Sequence, residues 1–370
     1  GLVLAISLGI VGGVLLTLGA HPLTDLLTLA QPQAGGTVAG LAAVYLSVLA
    51  LGLPLAAASD AIEGAFIGWG DSRAPLYISV VTVGVNLVLD PILIFGLGPA
   101  PMLGVEGAAL ATVAGYGSGL VLAVVLALRG RNGGMYSRAA AAFDIGEFRE
   151  LLDVGAPIAA QGGVRQVVRV LIVAVAFAAG GAAGLAAYAV GARIAAIAFV
   201  PAIGLQQAAQ SVVGQNIGAS QLERARRTTV LGAAVAVGGL AVIGVFQWFI
   251  PTAIATAFAP TLSGRALEFT VEYLTILAYG YPAIGAAYLF EAGFNGVRRT
   301  RTTFVATVLQ FWAVRLPIAA GVGVFLGVGV VAVFWAVTIS NILAAIGLGA
   351  YYRYEAANGM LAHASQATTQ

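Results

Sequence analysis

Long apolar stretches separated by short polar connections run along the whole chain. A helix that spans a bilayer needs about 20 predominantly apolar residues, and ten stretches reach that length. They lie near residues 1–20, 38–67, 76–97, 104–128, 151–178, 185–212, 228–250, 267–294, 303–325 and 328–350. Continuous apolar runs of this length predict membrane-spanning helices, so the fold class that we expect is an all-α integral membrane protein.

Composition strengthens this prediction. Hydrophobic residues make up 60% of the 370 residues and charged residues only 9%, whereas soluble domains carry about 25% charged residues. Glycine occurs 50 times, and small residues in membranes allow helix backbones to approach closely. Cysteine is absent and histidine occurs only twice, which excludes disulfides and argues against a zinc site. We expect no enzymatic activity, no cofactor and no nucleic-acid partner.

The placement of arginine predicts how the chain is oriented. All 17 basic residues are arginine. Twelve of them lie in the connections after the second, fourth, sixth and eighth stretches or after the last one, whereas the intervening connections hold only Arg265. Because basic residues concentrate in cytoplasmic loops, we expect a multi-pass plasma-membrane protein whose residues Gly1 and Gln370 are both cytoplasmic.

The second stretch matches the eighth when the sequence is shifted by 228 residues. Tyr45, Gly52, Pro54, Glu63, Phe66, Gly68 and Arg73 then coincide with Tyr273, Gly280, Pro282, Glu291, Phe294, Gly296 and Arg301. A shift of six helices preserves orientation, which predicts a parallel repeat of two lobes, a plan known in transporters. We assign an N-terminal lobe to 1–128, a cytoplasmic linker to 129–150, a C-terminal lobe to 151–352 and a polar cytoplasmic tail to 353–370. Since the second lobe has two more helices than the first, we expect two further helices before Gly1. A complete ten-helix protein is the alternative.

Several segments resemble the multidrug and toxic compound extrusion (MATE) family of transporters, in order and over nearly the whole chain. They are GWGDSRAPLYISVVTVGVNLVLDPILIFG (68–96), LGVEGAALATV (103–113), LLDVGAPIAAQ (151–161), AAYAVGARI (186–194), VVGQNIGASQLERARR (212–227) and VRLPIA (314–319). The resemblance places the first stretch at the third helix of the family. It implies a secondary antiporter that exports amphiphilic or cationic molecules in exchange for Na⁺ or H⁺ by alternating access.

Asn86 and Asp90 are four residues apart and share one helix face, near Pro91, which frees a backbone carbonyl. Their oxygens suit Na⁺, and the carboxylate can also carry a proton, but an interfacial position with hydrogen bonding to a neighbouring helix fits the spacing equally well. The resemblance to the damage-inducible branch of the family implies that Asn86, Asp90 and Thr112 form a cation-coupling site. That branch has one more ligand, an aspartate on its first helix, which would precede Gly1, so the site in this chain is expected to be incomplete.

Other ionisable or polar residues in the stretches are candidates for a substrate cavity, because such groups are costly in a membrane. They are Asp60, Glu63, Tyr116, Gln161, Arg165, Arg169, Arg193, Gln206, Gln210, Glu291 and Arg315. For Glu63 and Glu291 the favoured interpretation is pairing with the arginines of nearby loops. The intramembrane arginines are expected to line the cavity or to pair with acids. The other large branch of the family has an acid on its seventh helix. Here that helix carries arginines, which favours anionic or neutral substrate groups in this part of the cavity.

The prediction is therefore a monomeric antiporter in a lipid bilayer with a small amphiphilic substrate. Two alternatives from the same superfamily are a flippase for lipid-linked saccharides and a fragment that does not transport. A membrane-embedded enzyme is a third alternative, suggested by the protease-like motif Gly68-Trp69-Gly70-Asp71. That chemistry needs a second membrane-embedded aspartate facing the first, and Asp71 instead falls in a predicted short turn beside Arg73.

Overall fold

The computed structural model describes residues 1–30, 35–130 and 145–368, and within these ranges it contains helices and turns but no strand. The helices are α1 (Leu2–Ala30), α2 (Gly35–Gly68), α3 (Arg73–Phe95), α4 (Val105–Leu128), α5 (Ile145–Gly218), α6 (Leu222–Phe249), α7 (Pro251–Phe258), α8 (Gly264–Gly296), α9 (Thr300–Val308), α10 (Val330–Ala357) and α11 (Met360–Thr368). The all-α class is confirmed.

Nine of the described helices are long and apolar enough to cross a bilayer, one fewer than predicted. The difference lies in α5, which joins the predicted stretches 151–178 and 185–212 into one run of 74 residues. A straight helix of that length would measure about 110 Å, whereas the hydrocarbon core of a bilayer is about 30 Å thick. Gly181 breaks the run with φ 60° and ψ −155°, and Ile172 and Ala195 from its two halves share one hydrophobic cluster. The halves of α5 therefore pack together as two crossings.

Two further features depart from the prediction. The ninth stretch begins as α9 but continues as π-helix over Leu309–Arg315 and Ile318–Phe325. The π-helix is a rare geometry, and where it occurs it is often found at functional sites. The polar tail predicted for 353–370 is largely helical, because α10 extends to Ala357 and α11 follows it. Met360 and Leu361 are buried in a cluster with Tyr352, so apolar side chains hold this segment in place.

The chain divides into two compact units, Gly1–Leu151 and Leu152–Gln370. Most of the linker predicted for 129–150, from 131 to 144, lies outside the described residues. In the first unit α2 packs against α1 and α4, and in the second unit α8 packs against α6 and α10. Gly52 faces Val113 of α4, and its repeat partner Gly280 faces Thr338 of α10. Equivalent glycines thus make equivalent close contacts within each unit.

Close contact between α3 and α4 brings the candidate cation-coupling residues near one another. A Cβ added to Gly107 would lie 2.5 Å from the carbonyl oxygen of Leu93, and one added to Gly115 would lie 2.8 Å from that of Thr82. Real Cβ atoms do not approach backbone atoms so closely, so glycine is required at these two positions for the observed helix spacing. As a result, short polar side chains on facing sides of α3 and α4 come within reach of each other.

Candidate functional site

Asn86, Asp90 and Thr112 form one polar cluster in the first unit. The Asn86 amide donates to Asp90 Oδ1 at 3.4 Å within α3 and to Thr112 Oγ1 at 3.4 Å across to α4. The Thr112 hydroxyl in turn donates to the carbonyl oxygen of Ala108 at 3.0 Å. All three side chains are half-buried. The structure therefore brings together the three residues that the sequence analysis grouped.

The donor set of this cluster suits a small hard cation. A carboxylate, an amide and a hydroxyl supply oxygen atoms, which hard cations prefer over nitrogen or sulfur. The amide nitrogen of Asn86 now faces both neighbouring oxygens, and a half-turn of the amide would present its oxygen instead. Within the described ranges, no group of three or more His, Cys, Asp or Glu side chains is arranged to hold a metal ion. A donor set made only of oxygen atoms fits Na⁺, or a proton on Asp90, better than a transition metal.

The remaining candidates of the first unit lie on α2 and α4. Asp60 is exposed, and Glu63 is half-buried and accepts a hydrogen bond from Ser59 at 3.0 Å. Tyr116 is half-buried and its ring lies against Gly52 of α2. Asp71 accepts hydrogen bonds from the backbone amides of Arg73 and Ala74 at the start of α3, as a helix-capping carboxylate does.

The second unit contains a partly open cavity of about 620 Å³, which we call the arginine cavity. Its charged lining residues are Arg165 and Arg169 from the first half of α5, Arg193 from the second half, Glu291 from α8 and Arg315 from the π-helical segment. Its aromatic lining residues are Tyr188, Phe199, Tyr273, Tyr288 and Phe311. The four intramembrane arginines thus share one cavity, although they are far apart in sequence.

Glu291 is buried and paired inside this cavity. Arg165 Nη2 lies 2.8 Å from Glu291 Oε1 and 2.9 Å from Oε2, and Gln206 donates to Oε2 at 3.0 Å. Glu291 is 3% exposed, so its charge requires such partners. The interpretation that loop arginines pair with Glu291 is therefore wrong. Its partner lies 126 residues away in sequence, on a helix face that the sequence pattern alone does not assign.

Among the described residues, the partners of Arg315 are all neutral. Its Nε donates to Ser340 Oγ at 2.8 Å and its Nη2 donates to Asn341 Oδ1 at 2.7 Å, both on α10. Its guanidinium also lies 4.2 Å from the centre of the Phe311 ring. Ser340 and Asn341 were not among the predicted residues, although adjacent polar residues within an apolar stretch were a usable signal.

Two predicted residues lie outside the lining of the arginine cavity. Gln161 is 6% exposed and donates to Thr303 at 2.5 Å, so it links α5 to α9. Gln210 is half-buried in the second half of α5, and its backbone carbonyl oxygen faces Gly296 of α8. Phe199 and Phe311, which do line the cavity, were missed because aromatic residues are common throughout apolar stretches.

Comparison with known proteins adds a family and a fold. The sequence profile of the MatE family matches residues 1–92 and 157–321, together more than two thirds of the chain. A FAD transporter from Shewanella oneidensis is 29% identical over 293 residues, which cover 76% of this chain and 61% of that protein. The "Probable multidrug resistance protein NorM" of Thermotoga maritima is 24% identical over 322 residues, which cover 85% of this chain and 67% of that protein. The chain thus spans about three fifths to two thirds of the length of these relatives.

A solved structure has the same fold. A MOP superfamily transporter from Pyrococcus furiosus superposes with a TM-score of 0.86 and 22% sequence identity, over 96% of this chain and 78% of that one. The helical architecture is therefore shared with a known transporter.

Proposed function

We propose, since this chain belongs to the MatE family of membrane transporters, that it is a secondary antiporter which exports a small amphiphilic molecule in exchange for Na⁺ or H⁺. It acts as a monomer in the plasma membrane with both chain ends in the cytoplasm. The family membership and the helical fold support transport as such. The coupling ion, the direction and the substrate are parts of the proposal.

The observation that carries the proposal is the cluster of Asn86, Asp90 and Thr112. Asp90 is the acidic member, and no described basic side chain bonds to it. A charged carboxylate inside a membrane segment costs free energy, so such residues usually belong to functional sites. Binding a cation neutralises the carboxylate and removes that cost. Coupling follows if cation binding at Asp90 and substrate binding favour different states of the alternating-access cycle. Each ligand then shifts the population toward the state that it favours and away from the state that binds the other ligand.

The relatives suggest two kinds of substrate. One is named for multidrug resistance and another for FAD, an aromatic molecule with negatively charged phosphates. Transport is therefore best tested with one probe of each charge, ethidium as an aromatic cation and flavin mononucleotide (FMN) as an aromatic anion.

The experiment measures the movement of each probe across vesicles reconstituted with the protein in its native full length, with and without a Na⁺ or proton gradient. At least one probe is expected to move only when a gradient is present. Asp90→Asn is expected to reduce that movement to the level of empty vesicles, because a neutral amide neither carries a proton nor adds negative charge. Thr112→Ala is expected to reduce it less, since the hydroxyl is a neutral ligand that water can replace.

Glu106→Gln is the matched control. Glu106 is an exposed carboxylate in the first turn of α4, outside the cluster, and its replacement should leave gradient-driven movement unchanged. Movement at the wild-type rate in Asp90→Asn vesicles would exclude the coupling role of the cluster. Movement of both probes without dependence on either gradient would exclude the antiporter itself.

A further inference from the structure

The arginine cavity carries an excess of positive charge. Four arginines and one carboxylate line it, so its described ionisable residues sum to a net charge of +3. The Arg165–Glu291 pair neutralises one arginine. Arg169 and Arg193 have no hydrogen-bond or ion-pair partner within the described parts of the chain, and the partners of Arg315 are neutral.

An unpaired charged side chain within a membrane protein is stabilised by an opposite charge. A cationic side chain in a membrane segment costs several kcal/mol when no counter-charge or water reaches it. Arg169 and Arg193 are exposed on this cavity and Arg315 is half-buried. Three arginines on one cavity also repel one another and any organic cation that enters. An anion bound among them would relieve the repulsion and make charge-assisted hydrogen bonds to the guanidinium groups.

Aromatic side chains surround the same charges. Tyr288 lines the cavity together with Arg165, Arg169 and Arg315. Phe311 stacks beneath the Arg315 guanidinium, and the ring of Phe199 also faces the cavity. Aromatic and guanidinium planes both stack on flat conjugated rings. A volume of about 620 Å³ falls within the range of pockets that bind small organic ligands.

We propose that the arginine cavity binds an organic anion with a flat aromatic body, with the anionic group held by Arg169, Arg193 and Arg315 and the rings packed against the aromatic walls. This inference rests on the proposed transport function and names the substrate class. The class differs from the cationic molecules that the family resemblance implied, because the charge of this cavity is opposite.

FMN and riboflavin provide a matched pair of probes, since they share the flavin ring and differ by one phosphate. The measurement is the quenching of flavin fluorescence, or isothermal titration, on the purified chain in detergent without any ion gradient. FMN is expected to bind at least about tenfold more tightly than riboflavin, the effect of one charge-assisted hydrogen bond. Ethidium is expected not to displace FMN.

Arg169→Gln tests the assignment to this cavity. Arg169 has no partner in the described structure, so its replacement should leave the fold intact, weaken FMN binding about tenfold and leave riboflavin binding unchanged. Arg169→Lys should restore part of the affinity for FMN because it keeps the charge. Arg265→Gln is the control, since Arg265 is exposed and lies outside the cavity lining, and it should not change either affinity.

The outcomes separate this inference from the proposed function. Equal affinity for FMN and riboflavin, unchanged FMN affinity in Arg169→Gln, or displacement of FMN by ethidium would each overturn the anion site. Gradient-driven movement of ethidium in vesicles together with absent FMN binding would overturn only the anion site. Tight, Arg169-dependent FMN binding without any gradient-driven transport would overturn only the antiporter.

Discussion

Arg165 and Glu291 show how a single contact changes the interpretation of two residues. Each was a candidate cavity residue in the sequence, and each is costly in a membrane on its own. Together they form a pair in which one guanidinium nitrogen contacts both carboxylate oxygens. Removing one partner of a buried pair leaves the other charge uncompensated, so this pair is expected to stabilise the second unit only while both members are present.

Glu291→Gln is expected to lower the free energy of unfolding by about 3–5 kcal/mol, because the half-buried Arg165 then has no counter-charge. The measurement is thermal unfolding of the purified protein in detergent. Glu223→Gln is the control, since Glu223 pairs with Arg227 on the surface with both side chains more than 60% exposed. Its effect should stay below about 1 kcal/mol. Equal shifts in the two variants would mean that burial does not strengthen the Arg165–Glu291 pair.

At the scale of helices, small residues decide which faces meet. α4 lies against α3 through buried glycines, and the Asn86–Thr112 contact depends on that spacing. Gly115 is the closest of them to the cluster, because a Cβ added there would lie 3.3 Å from Cβ of Asn86 as well as 2.8 Å from the carbonyl oxygen of Thr82. The geometry of the candidate cation site is thus a property of the helix pair.

Gly115→Ala is expected to push α3 away from α4, because a backbone oxygen cannot rotate aside. We expect a loss of about 1–3 kcal/mol in the free energy of unfolding, the usual cost of overpacking, and slower gradient-driven transport. Gly117→Ala is the control on the same helix, since its added Cβ meets only Leu55 Cδ1 at an ordinary 3.8 Å. Thermal unfolding and the vesicle assay measure both effects. Equal behaviour of the two variants would contradict the role of the α3–α4 spacing.

At the scale of the whole molecule, the arginine distribution predicts the orientation in the membrane. The turn between α5 and α6 precedes a cluster of three arginines in the first turns of α6, whereas the turn between α7 and α8 is followed only by Arg265. The first of these turns precedes α6, and the second follows α6 after the short helix α7. α6 is 28 residues long and so spans a bilayer.

Single cysteines at Ala219 and Thr261 test this orientation. Both positions are exposed, and the sequence contains no native cysteine. A membrane-impermeant thiol reagent added to intact cells is expected to label Thr261→Cys, and Ala219→Cys only after the membrane is permeabilised. Labelling of Ala219→Cys in intact cells would reverse the orientation.

Properties that depend on local composition were predictable from the sequence. The membrane class and the apolar spans follow from runs of apolar residues, which need no knowledge of neighbouring helices. The repeat follows from matched positions such as Gly52 and Gly280, and the shared face of Asn86 and Asp90 follows from helical periodicity. The hairpin within α5 was also predictable as two stretches, because bilayer thickness limits the length of a crossing.

Contacts between distant helices were decided only by the tertiary structure. The partner of Glu291, the gathering of four arginines in one cavity and the bonds of Arg315 to Ser340 and Asn341 all join residues on different helices. In a membrane helix nearly every face is apolar, so periodicity does not reveal which face meets a neighbour. Close packing at small residues determines which faces meet, and thereby which charged side chains are paired and which remain available for a ligand.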